Sequence, residues 1–518
     1  MAMAAAMGRV TTPNAARASG AFSLDGAERR TDPAHRRTPQ SPNPGPRVVA
    51  TAARRPPELS MTRSALRLGA VALSVLLAGA IALVFAWALE GNSYNLWGAV
   101  IVVPLLVAVN VVVIARVARS APEPWLLALL MAAFGAKLVG ALLRYFVAYV
   151  VYGGAADAER YNRYAATQHH LWRQGAFVWE WGGKQGTQYM ELITTAVYTV
   201  IGPSPLAGFL VFATLAFWGQ YLLLRAFRIA LPRADGRRYA VLVMFLPSML
   251  YWPSSIGKEA WLLLFVGVTA LGAARLFAAR SGAVVLLVIG AAGTTLVRPH
   301  ITVLLFAALL VAQLFRPADD QPTGILKKAT GVLVLGAAAW ILASQSAVFL
   351  GTDDLSWQAI SETVEATNGQ TSQGGSTFTA VPVSSVWGMP LAVLTVLFRP
   401  FVWEAGNAQM IVQSLECLFL LGLTVRGWPR IRRLPGILRR APYVVFCLVF
   451  TSAFIWAFSG FGNFGILSRQ RVLMIPFFLV LLALPLPQPE AHPDDDDEFD
   501  DMDDVDPATS SKVMLVNP

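Results

Sequence analysis

Long apolar stretches, set apart by clusters of basic residues, make up most of the chain between residues 68 and 486. An α-helix needs about 20 apolar residues to cross a hydrocarbon core about 30 Å thick, with about 17 as a practical minimum. Twelve stretches come near this length: 68–89, 97–115, 125–151, 205–224, 239–254, 259–277, 283–297, 301–315, 329–350, 407–425, 442–459 and 472–486. The sequence therefore predicts an all-α protein, a polytopic transmembrane helix bundle of about 12 spans (range about 10–13).

Water cannot be the main solvent of this chain, because 55% of its residues are hydrophobic, only 14% are charged and its mean hydropathy is +0.54. Soluble domains carry about 25% charged residues. The net charge of +10 arises largely from Arg and Lys that flank apolar stretches, as in membrane proteins, which argues against nucleic acid as a partner. Cys417 and Cys447 both lie inside apolar runs, so we expect no disulfide framework and no thiolate metal site.

Two further apolar segments, 188–201 and 386–398, are too short to span comfortably, so the distribution of basic residues must decide their position. If both segments lie at the outer surface, all the large basic clusters between the spans fall on the cytoplasmic side. We therefore expect a multi-pass protein of the cytoplasmic membrane with both termini cytoplasmic. Its large outer loops would be 152–204 and 351–406, with interfacial helices in the first.

The two ends of the chain differ in composition from the predicted transmembrane domain, 65–486. Residues 1–64 carry ten Arg against four acidic residues and show no hydrophobic period, which predicts a disordered basic extension. Translation starting at Met61 is an alternative. Residues 487–518 carry eleven acidic residues against one Lys, which predicts a disordered acidic cytoplasmic tail.

Under this topology, charged side chains gather at the outer ends of helices that are far apart in sequence. The first cluster, YGGAADAERYNRY at 152–164, places Asp157 and Glu159 after a Gly-Gly pair that ends a span. A carboxylate held near a substrate hydroxyl has the chemistry of a general base. The structural alternative is an acidic helix N-terminus, since acids are favoured in the first helical turn.

The remaining outer clusters are mainly basic and suit a phosphate ligand. Lys258 and Glu259 open a helix after PSMLYWPSSIG, which favours an anion site, although the two side chains could instead neutralise each other. Arginine binds phosphate through bidentate geometry and keeps its charge. The candidate phosphate ligands are Lys258, Arg298, Arg399, Arg469 and Arg471, with Arg144, Glu259, His300 and Glu404 as secondary site residues. For each Arg alone, binding of a lipid headgroup is the alternative.

This layout resembles the GT-C superfamily of membrane glycosyltransferases, which use polyprenyl-phosphate-linked sugars. The resemblance covers about residues 134–280: an acidic motif at Asp157 and Glu159, interfacial helices at 160–201, and the stretch GTQYMELITTAVYTVIGPSPLAGFLVFATLAFWGQYLLLR. The later segments SSIGKEA, LVRPH, LFRPFVWE and NFGILSRQR resemble polymerase-like membrane proteins of polysaccharide clusters.

Three features depart from the GT-C pattern. Two predicted spans precede the expected first span, no D-x-D motif follows in the second outer loop, and no large soluble C-terminal domain is seen. The five His residues show no metal-ligand spacing, so no metal ligand is assigned, and a divalent metal remains an open possibility. The nature of the acceptor is open as well.

The resemblance implies an inverting transfer of sugar from a polyprenyl-phosphate donor to a glycan or lipid acceptor at the outer face of the membrane, with membrane lipids as further partners. Asp157 would act as general base, and Lys258 with the outer arginines would hold the phosphate as negative charge develops on it. An O-antigen or exopolysaccharide-type polymerase or ligase is the first alternative. A transporter or flippase is the second; it predicts internal repeats and broken helices at the bilayer midplane, and no repeat relates the two halves of the sequence.

Overall fold

The computed structural model describes residues 93–177, 185–317, 324–350, 376–380, 383 and 386–484, together with isolated positions between 79 and 91. In this part of the chain the regular structure is helical, apart from one isolated β-bridge between Thr377 and Asn463. The prediction of an all-α fold is therefore confirmed for the described residues. The segments 1–64 and 487–518 lie outside them, as does most of the predicted span 68–89.

The described helices are numbered here in chain order. They are α1 (Tyr94–Arg119), α2 (Leu126–Phe146), α3 (Asp157–Arg173), α4 (Gln185–Ile201), α5 (Pro205–Ala230), α6 (Gly236–Phe245), α7 (Pro247–Tyr251), α8 (Lys258–Phe277), α9 (Ala283–Val297), α10 (Pro299–Phe315), α11 (Gly324–Leu350), α12 (Met389–Phe398), α13 (Ala408–Arg426), α14 (Trp428–Ile431), α15 (Leu434–Leu438), α16 (Pro442–Phe458), α17 (Phe464–Arg471) and α18 (Ile475–Leu482). A π-helical turn, Val147–Val151, extends α2, and 3₁₀ turns at Val386–Gly388 and Val402–Glu404 flank α12.

Five of the described helices are long and apolar enough to cross a membrane: α1, α2 with its π-helical turn, α5, α8 and α13. The pair α17 and α18, bent by 62°, adds a sixth if its halves form one broken span. The predicted count of twelve spans is not confirmed. Several predicted spans fold as helices of 10–17 residues. At 1.5 Å per residue such helices are about 15–26 Å long, shorter than a hydrocarbon core of about 30 Å.

Pro247 breaks the predicted span 239–254 into two pieces. Helix α6 ends at Phe245, Leu246 adopts a ψ of 132°, and α7 starts at Pro247. Proline has no backbone N–H and disfavours the helical conformation of the residue before it, which explains the break. After Tyr251 a non-helical link, 252–257, leads to the start of α8.

Helices α5 and α8 pack closely at the centre of the described bundle. A Cβ at Gly219 would lie 2.4 Å from the carbonyl oxygen of Leu263. A Cβ at Gly267 would lie 2.4 Å from the carbonyl oxygen of Gly219. Small residues allow helix backbones to approach in this way, which is common within membranes. In an apolar window of 18 residues, 72% of α5 is buried inside the protein, compared with only 22% of α1. Helix α1 therefore lies at the edge of the bundle with apolar side chains exposed.

The first predicted outer loop, 152–204, contains two helices, α3 and α4, that pack against each other. The Nε atom of Arg160 donates to Glu191 Oε1 at 2.9 Å, and the hydroxyl of Tyr198 donates to Asn162 Oδ1 at 2.7 Å. These contacts join the two helices along their polar sides. Their location at the membrane interface stays a prediction.

Candidate functional site

A polar cavity of about 360 Å³ lies where several helix ends meet. The end of α2, the starts of α3, α8 and α13, and helix α17 all contribute to its wall, together with parts of the links on either side of α12. Five of the predicted site residues line it: Arg144, Asp157, Lys258, Glu259 and Arg469. The other six are not among its lining residues: Glu159, Arg298, His300, Arg399, Glu404 and Arg471.

Two glycines turn the chain at the end of α2 and bring a carboxylate to the cavity. Gly153 and Gly154 have φ angles of 56° and 83°, in the left-handed region that favours Gly. Ala156 is extended, and α3 begins at Asp157. An acid in the first helical turn is stabilised by the helix dipole. The side chain of Asp157 is 61% exposed, so its carboxylate is accessible to a ligand in the cavity.

Lys258 is placed at the cavity by the start of α8 and by its contact with α4. Its Nζ atom donates to the hydroxyl of Thr187 at 3.2 Å. Gly186 lets the start of α4 pack against the end of α9 beside this contact, because a Cβ there would lie 2.2 Å from the carbonyl oxygen of Val297. An ammonium group has three donors, so the bond to Thr187 leaves Lys258 capacity to bind an anion.

A chain of ionic contacts runs from the cavity into the protein interior. Arg469 Nη1 donates to Asp157 Oδ2 at 3.0 Å, and Arg469 Nε lies 3.3 Å from Glu259 Oε1. Arg298 Nη2 donates to the same Glu259 oxygen at 3.0 Å, and Arg298 also donates to Gln470. The side chains of Glu259 and Arg298 are only 6% and 9% exposed, against 27% for Arg469. Glu259 is therefore a buried bridge that fixes two arginines, one of which faces the cavity.

Cations exceed carboxylates in this cluster. Lys258, Arg298 and Arg469 face two carboxylates, Asp157 and Glu259, which leaves a net charge of +1. Charges in a partly buried site interact through a lower effective dielectric than in water. The cluster therefore favours an anionic ligand.

Arg144 adds another cation to the cavity wall. Its Nη1 atom donates to the hydroxyl of Tyr251 at 3.0 Å, and its guanidinium carbon lies 4.9 Å from the ring centroids of both Tyr251 and Trp252. Cation–π contacts of this kind hold a guanidinium in place without neutralising it. These contacts hold the guanidinium of Arg144 at the edge of the cavity.

Uncharged polar side chains complete the lining, and the sequence analysis did not identify them: Ser255, Ser376, Asn407, Gln409, Gln413, Asn463 and Ser468. Asn407 and Asn463 are the N-caps of α13 and α17, and their side chains accept from the backbone N–H groups of Met410 and Ile466. An Asn placed just before a helical run is an N-cap signal that a sequence can reveal. The Ser and Gln side chains carry no comparable signal.

Aromatic rings form part of the same wall, among them Tyr161, Trp252 and Phe464. Burial and the nearby Asp157 carboxylate raise the pKa of the Tyr161 hydroxyl. That hydroxyl therefore stays protonated at neutral pH and is able to donate a hydrogen bond.

Arg471, predicted as a phosphate ligand, caps a helix instead. Its side chain is 0% exposed. The Nη1 atom donates to the carbonyl oxygens of Val396, Leu397 and Arg399 at 3.1, 2.9 and 3.0 Å, and Nη2 donates to Cys417 Sγ at 3.2 Å. The last carbonyls of a helix have no partner within that helix. Arg471 satisfies those at the end of α12, and its donors are directed away from the cavity.

Arg399 and Glu404 pair with each other beside the cavity rather than in it. Glu404 accepts from Arg399 Nε at 3.0 Å and from the backbone N–H of Phe401 at 2.8 Å. Burial raises the pKa of Glu404, but these two hydrogen bonds outweigh it and hold the pKa below its usual value. Arg399 also lies over the rings of Phe378 and Phe464, at 4.6 and 5.3 Å. Its charge is therefore compensated before any ligand binds.

Glu159 is likewise engaged within the protein. It accepts from the Tyr149 hydroxyl and from Asn162 at 2.9 Å, and from Arg163 at 3.0 Å. Of the two acids in the predicted motif, only Asp157 reaches the cavity.

Arg298 and His300 lie next to the cavity without lining it. Arg298 acts on the cavity through its contact with Glu259. His300 lies in the first turn of α10, with its ring centroid 6.2 Å from that of Phe458. His300 is thus placed against an aromatic side chain rather than a ligand space.

The described residues at the cavity do not form a set of ligands for a divalent cation. Within the described residues, no three His, Cys, Asp or Glu side chains come close enough together to hold a metal ion. The two carboxylates that line the cavity, Asp157 and Glu259, both contact the guanidinium of Arg469. That cation would compete with a metal for both, so we assign no step to a metal.

The polar cavity is the main basis for assigning a function to this chain. It combines an exposed carboxylate, cations from separate elements, neutral polar groups and aromatic faces. No protein-family model, curated protein or solved structure matches this chain.

Proposed function

We propose that this chain is a membrane glycosyltransferase that transfers a sugar from a polyprenyl-phosphate donor to a hydroxyl of a glycan or lipid acceptor. The observation that carries the proposal is the meeting of Asp157, Lys258 and Arg469 in one cavity, from parts of the chain up to 312 residues apart. A carboxylate beside two cations supplies a base for the acceptor and a site for the phosphate. Transfer from a sugar phosphate needs both.

The position of the cavity suits a lipid-linked donor. Arg144, Phe209 and Lys258 line it from the ends of α2, α5 and α8, three helices long enough to cross a membrane. A polyprenyl phosphate places its charged group at such a helix end and its apolar chain beside the helices. The opposite ends of α5 and α8 carry Arg225, Arg228 and Arg275, which the positive-inside rule assigns to the cytoplasm.

This orientation opens the cavity at the outer face of the cytoplasmic membrane. It keeps both termini cytoplasmic in a multi-pass protein. The count of about 12 spans belongs to the same proposal, because it depends on helices shorter than the hydrocarbon thickness. Local thinning of the membrane would allow those helices to cross.

The proposed reaction is one inverting displacement at the anomeric carbon. Asp157 takes the proton of the acceptor hydroxyl while the hydroxyl oxygen bonds to that carbon. The bond between the anomeric carbon and the phosphate oxygen breaks, and its electron pair leaves with the polyprenyl phosphate. Lys258 and Arg469 stabilise the added negative charge, the kind of electrostatic effect that contributes most to many enzymatic rates.

Arg469 has a second role in this proposal, because it pairs with Asp157 at 3.0 Å before a ligand binds. The phosphodiester of the donor carries one negative charge and offers Arg469 two oxygens for a bidentate contact, with Lys258 as a second cation beside it. Binding of the donor thus frees Asp157 to act as a base. Glu259, held by Arg298, keeps Arg469 in place during the exchange.

The neutral part of the wall suits the sugar. Sugar hydroxyls both donate and accept hydrogen bonds, and the side-chain amides of Asn407, Gln409 and Gln413 offer both kinds of group. Trp252 adds an aromatic face. Together these side chains suit a polar, uncharged group next to the phosphate site.

The test uses the full-length chain, purified and reconstituted with phospholipid, and a panel of polyprenyl-phosphate-linked hexoses and pentoses with envelope glycan as acceptor. Chromatography measures the release of polyprenyl monophosphate, which does not require knowledge of the acceptor. We expect release with at least one donor. If no donor releases polyprenyl monophosphate, and the chain instead moves the donor across the membrane of sealed vesicles, the protein is a flippase rather than a glycosyltransferase.

A further inference from the structure

A second pocket, of about 700 Å³, lies at the other ends of α2, α5 and α8. Its wall comprises the link between α1 and α2, the end of α5, the link from α5 to α6, and the segment after α8. Four arginines line it: Arg225, Arg228, Arg237 and Arg280. We refer to it as the arginine pocket.

The arginine pocket and the polar cavity are separated by the thickness of a membrane. Trp125 and Arg144, at the two ends of α2, line the arginine pocket and the polar cavity respectively. On α5 the corresponding residues are Arg228 and Phe209. Each pair is separated by about 19 residues, or about 28 Å of helix. A hydrocarbon core is about 30 Å thick, so the arginine pocket lies at the headgroup level of the opposite surface.

Positive charge in the arginine pocket is not balanced by its acids. Two carboxylates line the pocket, Glu123 and Asp235. Glu123 pairs with Arg228, and Asp235 accepts a backbone N–H at the start of α6. In the described part of the chain, the other three arginines of the pocket form no ion pair with a carboxylate. The four arginines and two carboxylates of the lining therefore give the pocket a net charge of +2.

The pocket also has an apolar side next to an exposed helix. Val117 and Ser120, at the end of α1, line it, and α1 carries exposed apolar side chains such as Leu105 and Val112. Trp125 and Tyr221 line it as well. Aromatic side chains of this kind are enriched at membrane–water interfaces. A ligand with a charged head and an apolar tail fits this combination better than a free ion does.

We propose that the arginine pocket binds the phosphate headgroup of an anionic phospholipid, from the leaflet opposite the polar cavity. Arginine forks match phosphate oxygens in bidentate geometry, and basic pockets between helices on the cytoplasmic side recognise anionic headgroups. The headgroup phosphate contacts Arg225, Arg237 and Arg280, and the acyl chains lie along α1. This site does not depend on the proposed glycosyl transfer.

The test measures how well each ligand displaces a fluorescent phosphatidylglycerol analogue from the full-length chain in neutral detergent. The competitors are dioctanoyl phosphatidylglycerol, dioctanoyl phosphatidylcholine and inorganic phosphate. We expect phosphatidylglycerol to displace half of the fluorescent analogue at a concentration at least about tenfold lower than the other two competitors need. The reason is that each Arg near an anionic headgroup contributes measurably to affinity. Inorganic phosphate acting as well as phosphatidylglycerol would overturn the assignment to a lipid.

Matched charge variants locate the site. The variant R225Q/R237Q/R280Q should bind phosphatidylglycerol at least about tenfold more weakly. The control R433Q/R439Q/R440Q removes the same charge from exposed positions after α13, outside the pocket, and should change affinity less than about threefold. Equal losses in both variants would show unspecific attraction and overturn the site. The variant R237Q/R280Q alters only exposed side chains, so it tests the same claim if the triple variant fails to fold.

Discussion

Arg469 donates through Nη1 to Oδ2 of Asp157 at 3.0 Å and joins residues that are 312 positions apart. The Asp157 side chain is 61% exposed, and exposed ion pairs contribute only about 0–1 kcal/mol to stability. The same guanidinium contacts Glu259, which is almost fully buried. The contact therefore contributes little to stability. Its main effect is to place the Asp157 carboxylate and the Arg469 guanidinium side by side in the cavity.

Arg469 and Arg471 should respond differently to the same substitution. Arg469→Lys keeps the charge but loses the fork geometry, so we expect normal protein abundance and a transfer rate lowered about 10- to 100-fold. Arg471→Lys cannot reach the three carbonyls at the end of α12, so we expect less folded protein. Fluorescence-detected size exclusion gives abundance, and release of polyprenyl monophosphate gives rate. Normal abundance with lost activity in Arg471→Lys would return that residue to the site.

Glu259→Gln should destabilise the protein much more than Glu191→Gln. Glu259 is buried between Arg298 and Arg469, and removing one member of a buried ion pair costs about 3–5 kcal/mol. Glu191 pairs with Arg160, which is 62% exposed, so we expect a cost of about 0–1 kcal/mol. Thermal unfolding in detergent compares the two. Equal melting temperatures would argue against the bridging role of Glu259.

Two glycines of α2 give a matched test of packing. A Cβ at Gly140 would lie 2.4 Å from the carbonyl oxygen of Leu250, whereas a Cβ at Gly135 would meet no atom within 4 Å. We expect Gly140→Ala to lower the melting temperature and Gly135→Ala to leave it unchanged or raise it, since Ala is favoured over Gly in a helix by about 1 kcal/mol. A stable Gly140→Ala protein would show that α2 and the segment around Leu250 are less closely packed.

Much of the cavity could be predicted, because charges at helix ends are visible in a sequence. Asp157, Lys258 and Arg469 each stand beside a long apolar run, and all three line the cavity. The different positions of Arg469 and Arg471 could also have been expected. Residues two positions apart on a helix point to different faces, so Arg469 and Arg471 could not both face the same space.

The number of spans and the neutral lining were harder to predict. The stretch 239–254 is apolar throughout, and only Pro247 marks the break that the structure places there. The pairing of Arg399 with Glu404 depends on the conformation of a short link, which periodicity does not report. Gln409 and Gln413 reach the cavity only because α13 packs beside α7 and α12, tertiary contacts without a local sequence signal.

The most direct test of the proposed function compares Asp157→Asn with Asp235→Asn in the polyprenyl monophosphate release assay. Asp235 is also a carboxylate at a helix N-terminus, but it lies at the arginine pocket. Asp157→Asn keeps the size of the side chain and removes the base, so we expect normal abundance and a rate about 10²- to 10⁴-fold lower. Asp235→Asn should retain wild-type release. An active Asp157→Asn protein at normal abundance would contradict the assignment of Asp157 as the base.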